Sequence, residues 1–439
     1  MTVAAAAAAP PFLAGNALGA RRPVDALDWG LFLPGVLLCC ALGISLRLVG
    51  PLFVAMPVGT CLLYALLRRT LPPRLLTAYV ALCLAFGVLS ACRLLPASWQ
   101  VHFMHEAIVR QLVPLIGFFT VAWASKAYFR RRLAVGNVLF GAPLILVSSF
   151  AVAPLVMFHQ DVGYQNDRSL LAVLSLSGAF INNVTIATFF LLGGVFLARE
   201  WRRATSIAVV FAIAVTTHFT QFKLMSAMVL LTLLGARARN AVIGLIAAIL
   251  IVYGIGMNFI PDLMRKSPND GLRLALIADV FTSTVDTRGI GIGYGKESVR
   301  WRYRFPDMPD FTFLPDARSM TRERMLEALS TGVENSFVQA LLRTGITGFV
   351  LLVAAVFAAF PPASLPRGLR NHAACLFAMM FLGMFVNSAL ETPLTCVGLG
   401  FTYGYLLALR SAARSHAQLV RSRPVPLPKP CLAASGSTR

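Results

Sequence analysis

Charged residues are scarce in this chain of 439 residues: 13% are charged, whereas 57% are hydrophobic. A soluble domain usually carries about a quarter charged residues, so this chain lacks the polar surface that faces water. Acidic residues are the scarcer kind, with 18 Asp and Glu against 39 Lys and Arg. The basic residues form small clusters between apolar runs and no long basic tract. This pattern argues against nucleic-acid binding and is typical of membrane-topology signals.

Several chemical signatures are missing as well. The eight cysteines show no CxxC and no Cys/His metal spacing, so they are interpreted as small apolar packing residues. The alternating glycines of Gly289–Gly295 lack the GxGxxG spacing of a dinucleotide site, and neither a cofactor nor a metal is predicted. The N-terminus lacks the order of a charged start, a short apolar run and a cleavage site, so no cleavable signal peptide is predicted.

Long apolar runs are what the sequence has instead. Each bilayer crossing needs about 20 apolar residues, and the runs predict an all-α polytopic membrane protein with about twelve transmembrane helices. The runs lie near 29–48, 51–67, 75–95, 111–127, 134–158, 171–198, 205–219, 222–236, 241–260, 338–360, 372–390 and 393–409.

Alternate connections between these runs carry most of the basic residues, which marks the cytoplasmic side. Both termini then lie in the cytoplasm, and the predicted location is the bacterial inner membrane. A large polar loop between helices 9 and 10 faces the other side, the periplasm of a Gram-negative host. The predicted organisation is an N-terminal tail (1–28), helices 1–9 (29–261), the periplasmic loop (262–335), helices 10–12 (336–410) and a C-terminal tail (411–439).

The large loop presents a cationic surface above the membrane. Its arginines include Arg273, Arg288 and Arg300. A guanidinium group pairs bidentately with phosphate, so the cluster predicts an anionic, membrane-bound substrate. Individual arginines have the alternative of pairing with carboxylates of the loop or with lipid headgroups.

The exit of the loop reads Glu334-Asn335-Ser336, where the chain re-enters the membrane. Partial burial would raise the pKa of the Glu334 carboxyl and suit it to act as a general base. The alternative is a helix start, in which Asn335 or Ser336 caps the helix and Glu334 lies favourably near the dipole. The residues alone leave both interpretations open.

Polar residues inside the apolar runs are costly in lipid and usually face the bundle interior. Lys223 is a candidate substrate-binding residue, with snorkelling to the membrane interface as the alternative. Asn182 and Asn183 are candidates as well, and hydrogen bonding between helices is their alternative role.

Four stretches, in this order, resemble the bacterial O-antigen ligase/polymerase superfamily. Gly178–Ala187 resembles a G-x-F-x-N-x-N-x-x-A helix, with Asn-Asn in place of Asn-Pro-Asn. Thr220–Ala227 is similar to a segment with Ser followed by Arg or Lys and then small residues, with Phe222 in place of that Ser. Arg273 and the turn Gly289–Gly295 resemble the loop's arginine and its G-x-G-x-G turn. Glu334–Gly348 resembles the re-entry H-N-S-x-L-Q-x-x-x-x-x-G-x-x-G, with Glu334 where ligases carry His.

The resemblance implies a metal-independent glycosyltransferase that uses undecaprenyl-diphosphate-linked oligosaccharide on the periplasmic face. Within the superfamily the sequence looks most similar to exopolysaccharide polymerases. On this basis we expect catalytic roles for Arg273, Arg288 and Glu334. We expect substrate binding by Lys223, Asn335, Asn182, Asn183 and Arg300. Flippase and chain-length or export proteins of the same pathway are the expected partners. The alternatives are an O-antigen ligase, which transfers polymer to lipid A core, and a transporter or flippase of lipid-linked sugars.

Overall fold

The computed structural model describes residues 26–36, 51–95, 105–132, 277, 280–295, 335–386, 390 and 393–422. Within these ranges the regular elements are all helices, and no strand occurs. The first is a short helical stretch at 26–36 that contains the π-helix Asp28–Phe32. The long helices are α1 (Pro51–Leu67), α2 (Arg74–Ala91), α3 (His105–Arg132), α4 (Ser336–Phe357), α5 (Arg367–Val386) and α6 (Pro393–Ser422).

Three stretches of these helices are long and apolar enough to cross a bilayer: Arg74–Ala91, Gln111–Arg131 and Ser336–Phe357. Val58–Leu67 and Leu369–Phe385 are shorter apolar helices. This is the make-up of a helical membrane protein. The total of about twelve spans and the side that the large loop faces stay predictions.

Helix α6 continues well past the apolar run from which it was predicted. The run ends near residue 409, whereas the helix ends at Ser422. The added residues begin Arg410-Ser411-Ala412-Ala413-Arg414, and alanine and arginine are good helix formers. The helix therefore extends beyond its apolar part as a polar, basic segment.

Helices α3 and α6 run parallel to each other at very close approach. A Cβ atom added at Gly400 would lie 2.7 Å from the Phe118 carbonyl oxygen, and one added at Gly404 would lie 2.5 Å from the Ala122 carbonyl oxygen. The two glycines form a G-x-x-x-G pair, whose lack of side chains lets helix backbones meet in lipid. Phe129 of α3 packs edge-on against Phe401 of α6 at 4.9 Å.

One end of the bundle gathers basic residues around a buried carboxylate. Asp28 accepts hydrogen bonds from the Tyr64 hydroxyl at 2.7 Å and from Arg68 Nη2 at 2.8 Å. Arg131 Nη1 lies 4.0 Å from the same oxygen. The cluster ties the π-helix to α1 and α3, and Phe32 continues the contact by stacking on the Tyr128 ring at 4.7 Å.

The turn between α1 and α2 and that between α4 and α5 lie at this same end. Lys126 Nζ donates to the Leu71 carbonyl at 2.9 Å, and Arg410 Nη1 donates to the Ala358 carbonyl. Because α3 and α6 are parallel, Lys126 and Arg410 share one end of the bundle. The opposite end carries the loop residues 280–295 and the start of α4, and the candidate site is there.

Candidate functional site

Helix α4 is broken at Gly345, which has φ 67° and ψ −163°. Essentially only glycine adopts this backbone region. An unbroken helix would bond the Ile346 N–H to the Leu342 carbonyl and the Thr347 N–H to the Arg343 carbonyl. The break therefore redirects backbone groups at the middle of a membrane-spanning helix.

The glycine-rich turn predicted at Arg288–Gly295 is confirmed, and it docks on this break. Ile292 N donates to the Leu342 carbonyl at 2.8 Å, and Gly293 N donates to the Arg343 carbonyl at 2.9 Å. In return, Ile346 N donates to the Gly289 carbonyl at 2.9 Å. The turn thus supplies the partners that the broken helix lacks, as non-helical backbone at membrane depth requires.

The docking depends on glycine at two facing positions. A Cβ atom at Gly291 would lie 2.5 Å from the Gly345 nitrogen, and one at Gly345 would run into the Gly289 carbonyl oxygen. Both residues also have positive φ. The G-x-G-x-G turn and the first glycine of the G-x-x-G pair, recognised in the sequence as separate motifs, are two halves of one backbone contact.

The turn begins with Arg288 in a left-handed conformation. Residues 280–286 are helical, and this helix ends at the turn. Gly289 N donates to the Thr284 carbonyl at 2.7 Å and Arg288 N to the Val285 carbonyl at 2.9 Å, which is the Schellman pattern. Arg288 occupies the position that glycine usually holds, at φ 52°, and its side chain is exposed.

The end of the turn is tied to α2 and α3. Tyr294 N donates to the Ser90 Oγ of α2 at 2.8 Å. Gln111 Nε2 of α3 donates to the Gly295 carbonyl at 3.2 Å. The turn is therefore fixed on three helices, and the loop that follows starts from a rigid anchor.

The other end of the loop is anchored by Asn335. Its Oδ1 accepts from Phe337 N at 2.9 Å and from Val338 N at 3.0 Å, so Asn335 is the N-cap of α4. The helix-start interpretation of this residue is confirmed. Since its oxygen is committed to the cap, any contact of Asn335 with substrate would come from Nδ2. Ser336 Oγ accepts from Leu390 N at 3.3 Å.

A small cleft lies between the cap and the break. On α4 it is lined by Ser336, Gln339, Ala340 and Arg343, which share one helix face because they are three, four and seven residues apart. Its volume is about 20 Å³, which is room for one or two water molecules. The other walls come from α2, α3, the turn and the segment before α6, through Tyr79, Gln111, Leu115, Tyr294 and Leu390.

Arg343 is the cation of the cleft. It is 5% exposed, and its guanidinium carbon lies 5.2 Å from the centre of the Tyr294 ring. The phenol of Tyr294 is neutral at physiological pH. The cleft thus combines one fixed positive charge with neutral hydroxyl and amide groups.

Two of the predicted site residues lie within the described ranges, at different levels of α4. Arg288 lies beside the break through the Gly289–Ile346 bond, and Asn335 lies at the cap, roughly 15 Å away by the rise of a helix. The structure therefore does not bring these two side by side. The other predicted residues lie outside the described ranges: Asn182, Asn183, Lys223, Arg273, Arg300 and Glu334.

Sequence reasoning missed the residues that lie between these two levels. Arg343, Gln339 and Tyr294 line the cleft, although none was predicted as a site residue. The signal for the first two was the spacing of Ser336, Gln339 and Arg343 along one face of an apolar helix. For Tyr294 no signal existed, since only the docked turn places it over Arg343.

A scan of protein-family models and a search of curated proteins both find no match for the chain. Among the described residues, no three side chains of the His, Cys, Asp and Glu types come close enough together to hold a metal ion.

Proposed function

We propose that the protein is a polysaccharide polymerase, a glycosyltransferase that joins undecaprenyl-diphosphate-linked oligosaccharide repeat units on the periplasmic face of the inner membrane. The observation that carries the proposal is the docking of the glycine-rich turn on the break in α4. It places a polar cleft with a buried arginine beside the end of a membrane-spanning helix.

The backbone arrangement supports a site inside the membrane domain. In a bilayer, non-helical backbone is tolerated only where protein buries it or where it lines a cavity. Ionisable residues within membrane helices are rare and generally mark substrate pathways. Helix α4 has both features within three residues of each other, at Arg343 and Gly345.

The reaction needs two kinds of group from the protein. A sugar hydroxyl of one lipid-linked unit attacks the anomeric carbon of a second, the bond to the diphosphate breaks, and its electron pair leaves with undecaprenyl diphosphate. We propose that Arg273 and Arg288 stabilise the negative charge on the leaving diphosphate, and that Lys223 contributes from the membrane side. Fixed cations stabilise such a charge strongly in a water-poor cleft. Direct displacement inverts the anomeric centre.

The proton of the attacking hydroxyl passes to Glu334 in this proposal. Glu334 immediately precedes Asn335, and the cap bonds of Asn335 fix the backbone at the next residue along the chain. We assign contacts with the oligosaccharide and its lipid carrier to Asn335, Arg300, Asn182 and Asn183.

The test is a pair of substitutions in the native host. Arg273→Ala and Glu334→Gln are each expected to leave single lipid-linked repeat units unpolymerised, because one removes a cation of the leaving-group site and the other removes the base. The measurement is the length distribution of lipid-linked oligosaccharide, with immunoblotting of membranes to verify insertion. Wild-type polymer in both inserted variants would contradict these roles.

Purified protein separates the polymerase from its alternatives. A polymerase lengthens lipid-linked repeats in detergent with no other acceptor. A ligase would form product only when lipid A core is added. A flippase would move the substrate across liposomes and form no covalent product.

A further inference from the structure

Arg343 lies inside the cleft, where the chemistry proposed above has no assigned cation. Its side chain shares one face of α4 with Ser336 and Gln339. In a helix the side chain leans toward the N-terminus, so that of Arg343 leans toward the cap at Asn335. The break at Gly345 lies two residues beyond it. Arg343 therefore lies between the two predicted site residues that the structure describes.

Arg343 is held in place through both its backbone and its side chain. The Arg343 carbonyl accepts from Gly293 N, which fixes the backbone against the turn. The neighbouring Tyr294, whose ring lies against the guanidinium group, is fixed in turn by its N–H bond to Ser90 Oγ. A charged group held in this way pays little ordering entropy when a ligand binds.

Burial of this charge suggests a task beyond packing. Arg343 belongs to the apolar stretch Ser336–Phe357, which is long enough to cross a bilayer. Charged residues within such helices are rare and generally mark substrate pathways. Arginine is the residue best suited to pair with phosphate oxygens, because its planar fork matches their geometry.

The chemistry of the cleft narrows the choice of ligand. The cleft is small, with a volume of about 20 Å³. Ser336 and Gln339 place a hydroxyl and an amide beside the guanidinium group. A fixed positive charge beside such groups favours an anionic oxygen over a neutral sugar hydroxyl.

We propose that Arg343 binds an oxygen of the diphosphate group of the lipid-linked donor from inside the cleft. The proposal rests on the proposed function, which supplies the diphosphate. Arg343 is then a substrate-binding residue that holds the diphosphate before and during the reaction. Arg288 approaches the break from the exposed side of the turn, and Arg343 approaches it from within.

The experiment measures binding of undecaprenyl diphosphate to the full-length protein in detergent. Hydrogen bonds to charged groups suggest that Arg343→Gln weakens binding by about 10- to 100-fold. Arg343→Lys keeps the charge but loses the fork, and we expect an intermediate affinity. The matched control is Arg414→Gln, the same substitution at an exposed position at the opposite, basic end of the bundle, with wild-type affinity expected.

Three further ligands separate the sources of binding. Undecaprenol, which lacks the phosphates, is expected to bind weakly and to be insensitive to Arg343→Gln. Inorganic pyrophosphate is expected to compete with the lipid diphosphate in wild type and not in Arg343→Gln. Phosphatidylglycerol in the micelle is expected not to compete, and equal competition by it would overturn the assignment to a diphosphate.

The outcomes distinguish this proposal from the one on which it rests. Wild-type affinity in a folded Arg343→Gln variant overturns the role of Arg343 and leaves the polymerase intact. Wild-type protein that binds undecaprenyl diphosphate no better than undecaprenol overturns the polymerase itself. If Arg343→Gln fails to fold, Arg343→Lys decides: unchanged affinity and unchanged salt dependence in that variant would overturn the proposal.

Discussion

At the scale of single residues, an arginine repeatedly occupies a position that normally belongs to glycine. Arg69, Arg93 and Arg288 have φ of 49°, 56° and 52°. Each follows a helix whose last carbonyls accept in the Schellman pattern. A side chain in the left-handed region costs about 1 kcal/mol or more. A basic side chain at this position interacts favourably with the C-terminal end of the helix dipole, and this interaction offsets part of the cost.

This shared motif allows the function of Arg288 to be tested apart from its conformation. Arg288→Gly removes the left-handed strain together with the guanidinium group, so the apparent melting temperature should hold or rise. If Arg288 binds the diphosphate, polymerisation should nevertheless fall at least tenfold. The measurements are thermal unfolding in detergent and polymer length.

Arg69→Gly is the matched control, since it makes the same change in the same motif at the opposite end of the bundle. We expect it to keep both stability and activity. Equal losses of activity in the two glycine variants would show that the motif matters and that the Arg288 side chain does not.

At the scale of elements, the sequence predicted the existence of helix α4 better than its shape. The apolar run near 338–360 predicts one continuous helix, and the sequence offers Asn335 as a candidate cap. A glycine inside an apolar run costs about 1 kcal/mol against alanine and does not by itself predict a break. The break at Gly345 requires the turn at Gly289–Gly293, which lies more than fifty residues earlier in the chain. A contact of this range leaves no local signal.

The break gives the prediction at this scale. Gly345→Ala places a methyl group against the Gly289 carbonyl in a backbone region closed to alanine. We expect the turn to leave the helix, the cleft to lose Tyr294, and polymerisation to be lost. Alanine favours a continuous helix, so helix content by circular dichroism should be unchanged or higher.

Gly59→Ala tests whether any glycine-to-alanine change has this effect. A Cβ at Gly59 meets no atom within 4 Å, and α1 should be as stable or slightly more stable with alanine. Wild-type polymer from Gly345→Ala would contradict the docked turn as part of the site.

At the scale of the whole molecule, composition predicted the membrane class and left the assembly of the helices open. The low charge and the apolar runs are enough for a helical membrane protein. The buried network of Asp28, Tyr64 and Arg68 was not predicted, because position 28 was assigned to a tail and the partners are 36 and 40 residues away. Pairing of this kind depends on which helices meet, and hydropathy carries no such information.

The parallel contact of α3 and α6 is the part of that assembly most open to test. Gly404 lies so close to α3 that an added Cβ would be 2.7 Å from Lys126 N, an atom of the helix backbone. Overpacking at such a point generally costs about 1–3 kcal/mol. Gly404→Ala should therefore lower the apparent melting temperature in detergent, and Gly404→Ile should lower it further or prevent recovery of folded protein.

Because the cleft lies at the other end of the bundle, Gly404→Ala should retain polymerase activity at temperatures below its own unfolding. This separates it from Gly345→Ala, which should lose activity while remaining folded. Gly59→Ala again serves as the control, because it makes the same substitution at a position where the added methyl group meets no atom within 4 Å. An unchanged melting temperature in Gly404→Ala would mean that α3 and α6 are farther apart than the structure has them. It would also contradict the inference, drawn from their parallel packing, that Lys126 and Arg410 lie at the same end of the bundle.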